Sequence, residues 1–123
     1  MAAMRRMVLS MFSPPSAELL SAAELDLLAA ENLMSRQNGE TLSADYQAAD
    51  WRPMLPTITV PMLLVAGSDS GARVGVEYMA RHIPKAKLVV LEGGHACFMQ
   101  DSEAFNAAVE EFASGLGGGG ARL

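Results

Sequence analysis

The sequence predicts an α/β fold organised around one β-α-β crossover, and three observations carry that reading. Val60-Pro-Met-Leu-Leu-Val-Ala-Gly67 and Lys87-Leu-Val-Val-Leu-Glu-Gly-Gly-His95 are short apolar runs without polar alternation, the pattern of parallel strands covered on both faces. Between them Val76, Met79, Ala80 and Ile83 stand at i, i+3, i+4 and i+7, one face of a helix that Pro84 closes. Each run also ends in glycine beside a residue able to do chemistry, Asp69 after the first and His95 after the second. In open α/β sheets functional groups collect just beyond the carboxyl ends of the strands.

From the amino terminus, Arg5-Arg6 followed by Met7 to Phe12 has the charge order of a secretion signal. Ser10 interrupts its apolar part and Ser13-Pro14-Pro15 stops it, so no signal is expected. Met4, Met7, Met11 and Met34 are expected to fill gaps in a core or to sit in a loose chain start. Ser13-Pro14 and the capping box Ser21-Ala-Ala-Glu24 are helix starts. Leu25, Leu27, Leu28, Leu33 and Met34 then predict one helix of about four turns, or two abutting ones, with Asn38-Gly39 as the stop. A second short helix is expected from Thr41 or Ser43 to Ala49.

Pro53 should end that helix and hold Arg52 extended. Leu55 to Pro61 then approaches the first strand, Met62 to Ala66, with Trp51 as its anchor. Asp101 is an N-cap for a last helix in which Phe105, Ala108, Val109 and Phe112 repeat the helical spacing, with Gly115 as its end. The glycine tail after it offers no side chains to bury. Residues 1–50 therefore read as a helical part, 51–115 as part of an α/β core, and 116–123 as a disordered tail.

Composition narrows the function classes. Nine Lys and Arg against fourteen Asp and Glu give net charge −5, which disfavours capture of nucleic acid or anionic lipid. A single cysteine, Cys97, excludes an internal disulfide and fits a reducing compartment, so a cytoplasmic location is expected. No run approaches the length of a membrane span. Two histidines and scattered carboxylates form no metal-ligand pattern, and no cofactor is expected. Only two strands are evident against three or four helices, and a lone parallel pair is marginal, so strands from elsewhere should complete the sheet. They could come from a second copy meeting an exposed edge or from further polypeptide of the same fold.

Three blocks together, Asp50 to Gly67, Ile83 to His95 and Asp101 to Asn106, resemble the carboxyl-terminal end of an α/β-hydrolase-fold enzyme. The likeness runs from about Phe12 to Phe112 and is closest to the esterase, lactonase and enol-lactonase branch. It implies that the first block is the penultimate strand, carrying the acid of a catalytic triad in its following turn. The second would be the last strand, followed by the triad histidine, and residues 12–49 would be the end of a helical cap. A small ester or lactone is the implied substrate.

The sequence departs from that pattern in two places. No Gly-x-Ser-x-Gly nucleophile elbow is found; Gly67-Ser-Asp-Ser-Gly71 has glycines so placed but centres on Asp69, an aspartate nucleophile in some relatives of this fold. The family usually places its acid three residues after the strand's glycine, where this chain has Ser70. Asp69 stands one position early and is the candidate acid.

A histidine acting as general base turns one ring nitrogen to the nucleophile while a carboxylate holds the other. His95 and Asp69, at the ends of neighbouring strands, are the catalytic candidates. The isolated chain is expected to be inactive, and a non-enzymatic module that pairs through its open sheet edge is the alternative. His82 is read as structural and Cys97 as a small buried hydrophobe.

Overall fold

A computed structural model describes residues 2–13, 20–31 and 36–117. Its centre is a parallel pair, β1 (Met62–Gly67) and β2 (Ala86–Leu91), in register from Met62 opposite Ala86 to Gly67 opposite Leu91. Helix α4 (Arg73–His82) connects them, so the crossover predicted from the sequence is present. Leu64, Leu55 and Ile83 are buried together, and Met62, Leu88, Val76 and Met79 pack around them. That cluster places Met62, Leu64, Ala86 and Leu88 on the sheet face under α4, as the two-residue period of a strand requires. The spacing read for Val76, Met79 and Ile83 is the spacing that closes it.

The opposite face is covered less. Helix α6 (Ser102–Gly117) approaches β2 there, tied by Lys87 Nζ to Glu111 Oε1 at 2.6 Å. Lys87 is exposed and Val65 and Val89 are only half-buried. The strands are therefore not covered on both faces, because two strands give their helices too narrow a platform to seal.

Asp101 caps α6 as its position predicted, Oδ1 accepting from the Ala104 N–H at 3.0 Å. Gly115 does not end the helix, which continues to Gly117. Asn38 and Gly39 likewise lie inside α3 (Arg36–Ala48), which begins well before Thr41. The reason is common to both: glycine stops a helix when it turns left-handed, and among the described residues only Gly93 has positive φ, at 126°. Leu33, Met34 and the Pro14 position fall outside the described residues.

Helix α2 (Ala22–Glu31) opens on the expected capping box. The Glu24 N–H bonds the Ser21 hydroxyl at 3.3 Å, and Glu24 Oε2 accepts from the Ser21 N–H at 2.8 Å. The Ser21 hydroxyl and then its N–H hold the Glu24 carboxyl below its ordinary pKa. Before it, α1 (Ala2–Leu9) is a helix that the sequence reading left unassigned; it packs on α2 and sends Val8 and Phe12 into a core with Ala96.

Between α3 and β1 the chain forms a 3-10 helix, Arg52–Thr57, so Arg52 is not extended. Pro53 sits in its first turn, where a missing N–H costs nothing and a fixed φ helps. Trp51, 59% exposed, anchors nothing in the core. Leu55 does that instead. The short helix α5 (Cys97–Gln100) joins the turn after β2 to α6.

Candidate functional site

The two turns beyond the carboxyl ends of the strands continue the sheet by other means. Ser68 N–H donates to Leu91 O at 2.8 Å and Asp69 N–H to Gly93 O at 2.9 Å. Gly93 N–H returns a bond to the Ser68 hydroxyl at 3.3 Å. Backbones this close leave no room for a side chain: a Cβ on Gly67 would stand 2.0 Å from Gly94 O. Gly93 turns the chain at a φ favouring glycine, and His95 follows on the exposed side.

The two sequence candidates lie in these adjoining turns, but each bonds a different partner. His95 Nδ1 faces the Ser70 hydroxyl at 3.4 Å, and that hydroxyl also accepts from the Ala72 N–H at 3.2 Å. Asp69 Oδ2 accepts from the Ser13 hydroxyl at 2.8 Å, and its Oδ1 lies 3.5 Å from the Ser68 hydroxyl. Among the hydrogen bonds of the described residues none joins Asp69 to His95. Consecutive residues of a turn project in different directions, so a one-residue offset exchanges the histidine's partner. The pentapeptide Gly67 to Gly71 does run from a strand towards a helix, but its central aspartate is engaged by Ser13.

Ser13 and Gln100 complete the arrangement, and sequence reasoning missed both roles. Ser13 is 8% exposed and had only the mark of a helix cap. Gln100 Oε1 accepts from Gly94 N–H at 2.8 Å and from Ser13 N–H at 3.3 Å. Ala96 N–H donates to Met11 O at 2.7 Å. The segment after α1 is thus strapped across the histidine turn by bonds spanning more than eighty residues of sequence, which no local signal announces.

Beside the histidine lies a cavity of about 270 Å³ lined by Val8, Met11, Phe12, Leu28, His95, Ala96, Phe98 and Met99. Met11 is here a cavity wall as well as packing. Cys97, in the same turn, is buried with a free thiol. His82 is held at the end of α4 by Tyr78, through Nδ1 to the Tyr78 carbonyl at 2.8 Å and stacked rings. Among the described residues no group of three or more His, Cys, Asp or Glu is placed to hold a metal ion, and no helix is long and apolar enough to cross a membrane.

The crossover, the paired turns beyond the strands and the helical segment packed over them are the carboxyl-terminal part of an α/β-hydrolase fold. The solved enol-lactonase of Burkholderia xenovorans superposes with a TM-score of 0.76 over 92% of this chain and 44% of its own, at 23% identity.

Relatives by sequence belong to the same fold class. A pimeloyl-[acyl-carrier protein] methyl ester esterase of Neisseria meningitidis is 40% identical over 74 residues, 57% of this chain and 28% of that protein. The 3-oxoadipate enol-lactonase 2 of Acinetobacter baylyi is 36% identical over 64 residues, 50% of this chain and 24% of that protein. The matched region spans about a quarter of the length of these relatives. No family model matches the chain.

Proposed function

We propose that this chain supplies the general-base histidine of an α/β hydrolase acting on esters or lactones. The observation that carries the reading is the placement of His95, on the turn after β2, lining an apolar cavity, with Nδ1 occupied by Ser70. Nε2 is then the nitrogen left to take a proton from an attacking hydroxyl and return it to the leaving group. The names of the relatives, a methyl ester esterase and an enol-lactonase, support acyl transfer to water as the reaction class.

Asp69 is the carboxylate available to orient the ring, but in this arrangement it is bonded to Ser13, and the orienting contact falls to Ser70. A neutral hydroxyl fixes the ring's direction while doing less than a carboxylate to stabilise the imidazolium. The sequence holds no Gly-x-Ser-x-Gly elbow, so the covalent step needs a nucleophile and oxyanion donors from other polypeptide. Alone, the chain is inactive. Its buried free cysteine fits the cytoplasmic placement read from the sequence.

The test joins the chain, in one polypeptide or by mixing, to the nucleophile-bearing amino-terminal part of an α/β hydrolase and assays a chromogenic ester. Turnover that appears on joining and disappears in His95→Ala supports the proposal. Turnover indifferent to that substitution, or absent from every joined form, overturns it.

A second reading rests on a separate observation: among the described residues the sheet has two strands, so β1 and β2 each present an unpaired outer edge. A non-enzymatic module would use such an edge to pair with a second copy. Size-exclusion chromatography showing a concentration-dependent dimer without ester turnover would favour it.

A further inference from the structure

We propose that Gln100 is the positioning residue of the histidine turn, holding the residue before His95 with its side chain and the residue after it with its backbone, and so fixing the direction of the ring. Its consequence for catalysis rests on the hydrolytic reading; the geometry of the turn does not.

Four bonds close the turn around the histidine. Gln100 Oε1 accepts from Gly94 N–H at 2.8 Å, and Gln100 N–H donates to Ala96 O at 3.2 Å. His95 lies between those two residues, so both of its neighbours are tied to one glutamine. Cys97 N–H on Gly94 O at 3.2 Å and Met99 N–H on Ala96 O at 2.9 Å brace the same turn. The carboxamide also lies face-on to Gly93, where a Cβ would stand 3.0 Å from Oε1, 3.1 Å from Cδ and 3.2 Å from Nε2. Gly93, at φ 126°, has both its conformation and the space beside it committed to that contact.

The amide's orientation follows from its partners. Gly94 N–H and Ser13 N–H are both donors, so the oxygen and not the NH₂ group must face them. Nε2 is left buried without a hydrogen-bond partner, which costs stability. The oxygen is therefore the part of this side chain that the turn uses. The ring is sensitive to it because its own contact has no slack: His95 Nδ1 meets the Ser70 hydroxyl at 3.4 Å, the far end of hydrogen-bonding range, and the residue is otherwise exposed. A small displacement of Gly94 breaks that contact.

The test uses the full chain and needs no nucleophile. Ring ¹⁵N shifts of neutral His95, amide exchange at Gly94 and thermal unfolding are read in Gln100→Met, Gln100→Glu and Ile83→Val. Methionine keeps the length of glutamine without an acceptor, and glutamate keeps an accepting oxygen in either protonation state. Ile83→Val loosens the core under α4, away from the turn. Gln100→Met is expected to change the division of the proton between Nδ1 and Nε2 and to speed Gly94 exchange about tenfold, and Gln100→Glu to return both to those of the unmodified chain. Ile83→Val should lower the unfolding temperature and leave the division as it was. In a joined, active form Gln100→Met should lower kcat about tenfold or more with little change in KM, and Gln100→Glu should restore it. If Gln100→Met does not fold, Gln100→Asn, whose carbonyl stops one methylene short of Gly94, is read in its place.

An unchanged division in Gln100→Met, an equal change in Gln100→Glu, or the same change in Ile83→Val overturns the proposal. The two readings fail separately. A ring that follows Gln100 as expected, in a chain that no joined form makes active, sinks the hydrolase and leaves the positioning role. Turnover lost in His95→Ala but indifferent to Gln100→Met does the reverse.

Discussion

The Ser13 hydroxyl donates to Asp69 Oδ2 at 2.8 Å, joining the segment after α1 to the turn after β1 across fifty-six positions of sequence. The contact makes Asp69 part of the attachment between the helical segment and the core. With Ala96 N–H on Met11 O and Gln100 Oε1 on both Ser13 and Gly94, it forms one polar seam along the histidine turn.

Removing that contact should loosen the seam without unfolding the crossover. Ser13→Ala is expected to cost about 1 kcal/mol, since the carboxylate it leaves is exposed and water replaces the lost donor. Asp69→Asn should cost a similar amount, and the double variant should cost no more than either alone. Chemical denaturation gives the sum, and amide exchange at Gly94 and Ala96 should report the local loosening.

Ser70 should control the proton of the His95 ring, and Asp69 should not. With the ring neutral, ¹⁵N shifts report how the proton divides between Nδ1 and Nε2. Ser70→Ala is expected to change that division, Ser70→Asp to hold the proton on Nδ1, and Asp69→Asn to leave the shifts as in the unmodified chain. In a joined, active form Ser70→Asp should raise turnover by about tenfold or more, because a carboxylate stabilises the imidazolium. Loss of the ring's tautomer preference in Asp69→Asn would show that the carboxylate reaches His95 in solution.

Two glycines in one crossover should respond in opposite directions. Gly67→Ala places a methyl 2.0 Å from Gly94 O and 2.5 Å from Gly93 O, both backbone atoms, so the turns must separate; a loss of about 3 kcal/mol is expected. Gly75→Ala, within α4 and with nothing inside 4 Å of the added carbon, should gain about 0.5–1 kcal/mol through helix propensity. Thermal unfolding of the two variants measures both signs.

Asp50 should titrate abnormally low. Hydrogen bonds from the Arg52 side chain, then from its backbone N–H, bring its carboxyl from 3.8 down to about 2. A carboxyl with a depressed pKa in the folded state contributes stability above its unfolded value, and that contribution is lost as pH falls through about 2. Both side chains are in water, so the effect on stability is small and the titration itself is the better readout. Arg52→Ala should return the Asp50 midpoint, followed by carboxyl ¹³C shifts, towards its ordinary range.

The local grammar of the chain was enough to determine the crossover. Apolar runs, the Val76-Met79-Ile83 spacing, the Ser21-Glu24 box and the Asp101 cap each depend on residues a few positions apart, where backbone geometry alone decides which groups meet. Local signals failed where two outcomes are nearly equal in energy. Gly39 and Gly115 could end a helix or continue it, and Pro53 could keep the chain extended or start a 3-10 turn.

The candidate site was legible in its address but not in its bonds. Glycine-bounded strand ends pointed to Asp69 and His95 as candidates, yet the choice of partner for the ring depended on the direction in which successive turn residues point. The seam through Ser13, Gln100 and Gly94 was decided by tertiary structure alone. Its members are brought together only when the segment after α1 lies across the turn after β2, and a hydrogen bond between groups eighty-seven positions apart leaves no periodicity in the sequence to announce it.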